Sequence, residues 1–208
     1  MDRTFIHVEE MTNFDKEHNQ KFWDKQHQRD PQQGVKRSPE LYVVWHLKTR
    51  FVMHAIKENP FNSHYFVWCD IGSFRLRDKT LMLKRFPNPV KLVTLNKTKM
   101  HLLAINGKLP KSAYSLRRDG LPKKDFSVGG ERLGGGIQVG HKDAWMRWNE
   151  AFYDTARRLA PVWHFIGDDQ AVMAGVAVMY PELVQLIYPK SYFNNSGSDW
   201  FYLQYYFS

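Results

Sequence analysis

At 208 residues the chain is long enough for one domain with a real core, since a compact protein of this size buries roughly 70% of its unfolded surface. Apolar residues at 43% and aromatics at 15% exclude a disordered chain, and the single Cys69 excludes an internal disulfide framework or a multi-cysteine zinc site. The net charge of +9 excludes a uniformly acidic surface and points to anionic partners.

No run approaches the ~18 apolar residues of a membrane span. Met1-Asp2-Arg3-Thr4 lacks the basic-then-apolar layout of a signal peptide. The expected location is therefore cytoplasmic, with any membrane contact peripheral. Thr4-Phe5-Ile6-His7-Val8 reads as a short strand, and Asn13–Arg37 as a polar loop with one helical turn. The clearest helix follows. Ser38 is its N-cap, Pro39 fills the first helical position, and Asn59-Pro60 stops it. Leu41, Val44, Trp45, Phe51, Val52, Ala55 and Ile56 form its apolar stripe, with Lys48 inside it. A lysine there either snorkels from the stripe's edge or meets an anionic partner, because an unpaired buried charge is too costly.

Tyr65-Phe66-Val67-Trp68-Cys69 is a continuous apolar run that predicts a buried central strand of parallel type, ending at Asp70-Ile71-Gly72. Ligands of open α/β sheets bind beyond the carboxyl ends of such strands, so Asp70 is a site candidate and Lys48 its partner. The segment Arg75–Lys124 then holds fourteen Lys and Arg against Asp78 and Asp119, a surplus of +12 that leaves −3 for the remainder. It reads either as an anion-attracting surface or as a solvated lysine-rich loop. Within it, Val90–Leu95 predicts a strand and Lys108–Lys124 an extended loop. Glycines at 129, 130 and 134–136 precede Ile137-Gln138-Val139-Gly140, a strand. A helix follows over Asp143–Leu159, burying Ala144, Trp145, Trp148, Ala151, Phe152, Thr155 and Leu159. Gly167-Asp168-Asp169-Gln170 opens an apolar helix to about Met179. Pro181 starts a short helical stretch, Leu186-Ile187-Tyr188 is a last strand, and the aromatic tail packs onto the domain.

Three features stand in order: an acid after an apolar strand, a triple glycine opening a strand, and an acid-acid-Gln turn opening a helix. Singly, each has a structural explanation as turn former, hairpin or helix cap. Their order resembles glycosyltransferases of the GT-A fold, in which a strand ends in a DxD-type acid and a "DQ" turn begins a later helix. More specifically, the chain resembles the HtrL/YibB family, with glycosyl transfer as the activity that the resemblance implies. This likeness rests on Glu40-Leu41-Tyr42, Lys48, Asn59-Pro60-Phe61, Phe66–Gly72 with Phe74-Arg75, Gly134–Gly140 and Gly167–Gln170, and it covers roughly residues 35–190.

The resemblance implies a GT-A-like (Rossmann-like) mixed α/β sheet flanked by helices over a single domain, 1–208. It implies transfer of a sugar from a nucleotide-sugar donor to a glycan or lipid-linked glycan acceptor. Lys48, Asp70, Gly72 and Arg75 would bind the donor, and Gly134, Gly135 and Gly136 would admit the sugar or acceptor. Asp168, Asp169 and Gln170 would carry the chemistry. Two departures stand out. Gly72 replaces the second acid of the DxD motif, which leaves Asp70 to bind either the donor ribose or, through water, a metal such as Mn²⁺ or Mg²⁺, and opens the way for Arg75, Arg77 or a lysine of the basic block to replace the ion. Only about 35 residues precede the Ser38 helix, so the first βα unit is expected to be shortened or missing, as in a fragment. The alternative is a non-catalytic binder of nucleic acid or anionic surfaces through residues 75–124. It lacks any helix-turn-helix, RNP or zinc-finger pattern.

Overall fold

The computed structural model describes residues 4, 6, 8, 19–34, 37–74, 83, 85–105, 109, 111–128, 133–190 and 199–208. The strand expected over Thr4–Val8 includes Phe5 and His7, which lie outside these residues. So do Arg75, Arg77, the glycines at 129 and 130, and the start of the polar tail at Asn194.

Helix α1, Gln20–Gln28, replaces the expected loop with a single helical turn. Asn19 caps it by accepting from the Phe22 amide at 3.1 Å, and Trp23 is the apolar anchor that a polar composition hid. Helix α2, Pro39–Glu58, runs to Asn59, whose left-handed backbone (φ 34°) closes the C-terminus. Its buried face is Tyr42, Val43, His46, Leu47, Thr49 and Val52, whereas Val44 and Ala55 are exposed. The expected stripe is thus rotated, because α1 packs on Tyr42, Val43 and Leu47 and claims that side of the helix. Strand β1, Tyr65–Cys69, leads into a 3₁₀ turn at Ile71–Phe74.

Helix α3, Pro89–Val93, stands where a strand was expected. Asn88 caps it by accepting from the Val90 amide, and Pro89 takes the first turn. Strand β2, Met100–Ala104, follows and is buried throughout; its Met-His-Leu-Leu-Ala sequence carries no β-branched residue to announce it. Strand β3 spans Leu133–His141 and passes directly into α4, Lys142–Leu159, whose buried stripe is the expected one. Helix α5, Asp169–Met179, is buried nearly all round, β4 spans Val184–Ile187, and α6 spans Tyr202–Tyr206.

The strands form a mixed sheet in the order β1-β3-β2-β4. β1 and β2 both run antiparallel to β3, and only β2 and β4 are parallel. The register Tyr65↔His141 to Cys69↔Ile137 therefore places β1 at the edge of the described sheet, not in a parallel centre. Its continuous apolar run has a different cause. Both faces are partly covered, so every residue of β1 is half-buried. One face of the sheet carries the main core, built by α4 and α5 around Trp145, Trp148, Phe152 and Val172. The other face is closed by Leu92 of α3 and by Tyr202, Leu203 and Phe207 from the aromatic tail. Among the described residues no helix is long and apolar enough to cross a membrane.

Candidate functional site

Where β1 ends, the Asp70 amide donates to the Gly136 carbonyl at 2.8 Å, a last rung beside β3. The Asp70 carbonyl accepts from the Ser73 amide at 2.8 Å and so starts the 3₁₀ turn. Its carboxylate is held on two sides: Oδ1 accepts from the Trp68 indole at 2.7 Å, and Oδ2 from the Lys48 ammonium at 3.3 Å. The side chain still keeps 40% of its surface exposed.

Lys48 comes from the middle of α2 and is 3% exposed. Besides Asp70, its ammonium meets Asp169 Oδ2 at 3.0 Å and donates to the Gly135 carbonyl at 3.2 Å. The ammonium is thus hydrogen-bonded to two acceptors and ion-paired with a third oxygen, Asp169 Oδ2, which has no hydrogen-bond partner among the described residues. Burial by itself lowers the Lys48 pKa, but the carboxylates of Asp169 and Asp70 outweigh it and raise the pKa above the ordinary value, so the ammonium stays charged.

The turn before α5 supplies the other acids. Asp168 caps the helix by accepting from the Gln170 amide at 3.0 Å, and Asp169 sits in the first turn, where the helix dipole favours an anion. The capping explanation of Asp168 and its place in the cleft are both true. Gly135 makes this convergence possible: a Cβ there would lie 2.6 Å from Asp169 Oδ2. A Cβ on Gly136 would meet Ser73 Oγ at 3.4 Å and Asp70 Oδ2 at 3.6 Å, ordinary contacts, whereas Gly134 faces Leu103. Of the three glycines, Gly136 alone lines the cleft, Gly135 backs its acids, and Gly134 belongs to the sheet packing.

The cleft so formed measures about 510 Å³. Lys48, Asp70, Gly72, Gly136, Asp168, Asp169 and Gln170, all expected from the sequence, line it together. It also contains residues that sequence reasoning did not assign: Gln32, Arg37, Ser73, Trp200 and Phe201, with Trp45 as wall rather than core. Arg37 precedes the α2 cap and Trp200 belongs to the tail, so only the fold brings them here. Gly72 has nothing within 4 Å of a Cβ position, so the missing second acid is not a steric exclusion. Burial pushes the thiol pKa of Cys69, next to Asp70, above its ordinary value and so disfavours the thiolate.

A divalent ion does not fit this donor set as it stands. The facing oxygens of Asp70 and Asp169 already share one ammonium, and no three His, Cys, Asp or Glu side chains among the described residues come together to hold a metal.

A second cleft, of about 540 Å³, lies along the C-terminal half of α2 and the edge of β1. Phe51, Phe61, Phe66, Val67 and Leu92 make it largely apolar.

No curated protein and no solved structure is significantly similar to this chain. A family model described as "Bacterial protein of unknown function (HtrL_YibB)" matches residues 4–207, so the chain belongs to the HtrL_YibB family.

Proposed function

We propose that this protein is a nucleotide-sugar-dependent glycosyltransferase with a GT-A-like site, acting on a glycan or lipid-linked glycan acceptor. The observation that carries this reading is the Lys48 bridge, which draws Asp70 from β1 and Asp169 from α5 into one cleft with Asp168 and Gln170. Carboxylates and a carboxamide are the groups that hold sugar hydroxyls, and the half-buried Trp45 and exposed Trp200 offer ring faces for a pyranose. Of the three acids, Asp70 is the one most open to the cleft, at 40% side-chain exposure against 9% for Asp168 and 5% for Asp169. In this reading Asp70 touches the ligand, and the buried pair sets the positions of Arg37 and Lys48.

Transfer breaks the bond between the anomeric carbon and the donor phosphate oxygen and forms a bond to an acceptor hydroxyl oxygen. The leaving diphosphate keeps the electron pair. The acceptor proton passes to a carboxylate of the cleft if the configuration inverts. No step here requires a metal.

A thermal-shift panel of UDP-, GDP-, CMP- and dTDP-sugars, each with and without manganese, tests the proposal. One nucleotide class should stabilise the protein saturably, by about 2.7 kcal/mol at a hundredfold excess over Kd. Absence of a shift with every member would overturn it.

A further inference from the structure

Arg37 stands at the mouth of the polar cleft with its side chain 14% exposed. Its guanidinium lies over the Trp45 ring, 5.2 Å from the centroid. One short bond fixes it, from Nη2 to Gln32 Oε1 at 2.5 Å. Its approaches to acids are looser: 3.4 Å from Nη1 to each oxygen of Asp30, and 3.8 Å to Asp168 Oδ2. Asp30 is held more tightly elsewhere, accepting from the Gln32 amide at 2.8 Å and from the Tyr42 hydroxyl at 2.7 Å. Tyr42 is fully buried, and its hydroxyl also meets His27 Nδ1 at 2.9 Å. A buried frame thus aims a cation at the cleft while leaving part of its five-donor fork unengaged.

Lys48, the other cation of the cleft's described lining, is 3% exposed and already engaged with Asp70, Asp169 and the Gly135 carbonyl. A bidentate fork suits an oxyanion with two free oxygens, above all a phosphate. We infer that Arg37, positioned by Asp30 and Tyr42 and backed by Trp45, is the oxyanion-binding residue of this cleft and contacts the phosphate of its ligand directly. The inference rests on the proposed function for the identity of the ligand, a nucleoside diphosphate sugar, but not for the chemistry of the contact. It places the compensating charge on this chain's own arginine, in place of a divalent ion.

The test is isothermal titration of the full-length chain, in EDTA, with inorganic pyrophosphate and with the best nucleotide-sugar of the panel. Arg37→Gln and Arg37→Lys should each weaken both ligands at least tenfold. Lysine keeps the charge and the fold but loses the fork, so a shared loss identifies bidentate recognition and not mere charge. Tyr42→Phe, which touches no ligand, should weaken binding several-fold, with the melting temperature recorded separately as the control for packing. Unchanged affinity in both Arg37 variants overturns the inference and leaves the transferase reading standing. If pyrophosphate binds through Arg37 and no nucleotide-sugar binds, the inference holds and the transferase reading fails. Failure of the wild type to bind either probe without added metal overturns the inference.

Discussion

Helix α2 walls two clefts of nearly equal size, about 510 and 540 Å³, and they differ in what faces the space. Its N-terminal half presents Trp45 and Lys48 to a cleft whose lining carries three acids and two cations. Its C-terminal half presents Phe51, His54, Ala55 and Glu58 to an apolar trough beside β1. Trp68 links the two: Phe51 stacks on its ring at 5.9 Å, and its indole donates to Asp70. Volume therefore does not distinguish them. The polar cleft can orient and polarise a ligand because its charges are fixed by one another, whereas the trough offers mainly contact area.

Breaking the charge lock should have the largest effect. Lys48→Met leaves Asp169 buried with its nearest cation gone, and removing one partner of a buried pair costs about 3–5 kcal/mol. Urea denaturation checks this; a loss below about 1 kcal/mol would mean the acids do not depend on the lysine. Gly135→Ala comes next, at about 1–3 kcal/mol, because the new methyl meets a pinned carboxylate. Gly136→Ala, one residue on, should stay within about 1 kcal/mol, since its contacts are those of ordinary packing. Equal effects at the two positions would contradict the geometry.

The same lock sets an alkaline limit. The folded pKa of Lys48 lies above its ordinary 10.5, so its ion pairs stabilise fully below that pH and are lost as pH rises through the raised value. Wild-type stability should therefore fall more steeply above about pH 10.5 than that of Lys48→Met, as followed by chemical denaturation across pH. Parallel profiles would show that the ammonium is not stabilised by its acids. The smallest effect belongs to the trough. Phe61→Ser, at a residue 54% exposed, should change stability by no more than about 0.5 kcal/mol and leave ligand-induced shifts in the polar cleft intact.

The legibility of these features in the sequence followed their range. Helices α2, α4 and α5 were readable because caps, prolines and, in α4, a period-3.6 stripe are local signals; the stripe of α2 was read out of phase, yet Lys48 stood out as a charge among its apolar residues. Asp70, Asp168, Asp169 and Gln170 were readable as the ends of apolar runs. Strand β2 was not, because Met-His-Leu-Leu-Ala suits helix and strand alike and its burial is decided by neighbours on both faces. The position of β1 at the edge was not legible either, since an apolar run reports burial but not direction of pairing. Arg37, Trp45 and Trp200 meet across more than 150 residues of chain, a juxtaposition no spacing rule encodes.

The most direct test of the polar cleft as the working site is turnover of the preferred nucleotide-sugar, read as released nucleoside diphosphate in the wild type and in Asp70→Asn. The wild type should release product, and the variant should lose activity by about 10²–10⁴-fold with its melting temperature little changed. Equal turnover by the two proteins would remove Asp70, and with it the cleft, from the chemistry.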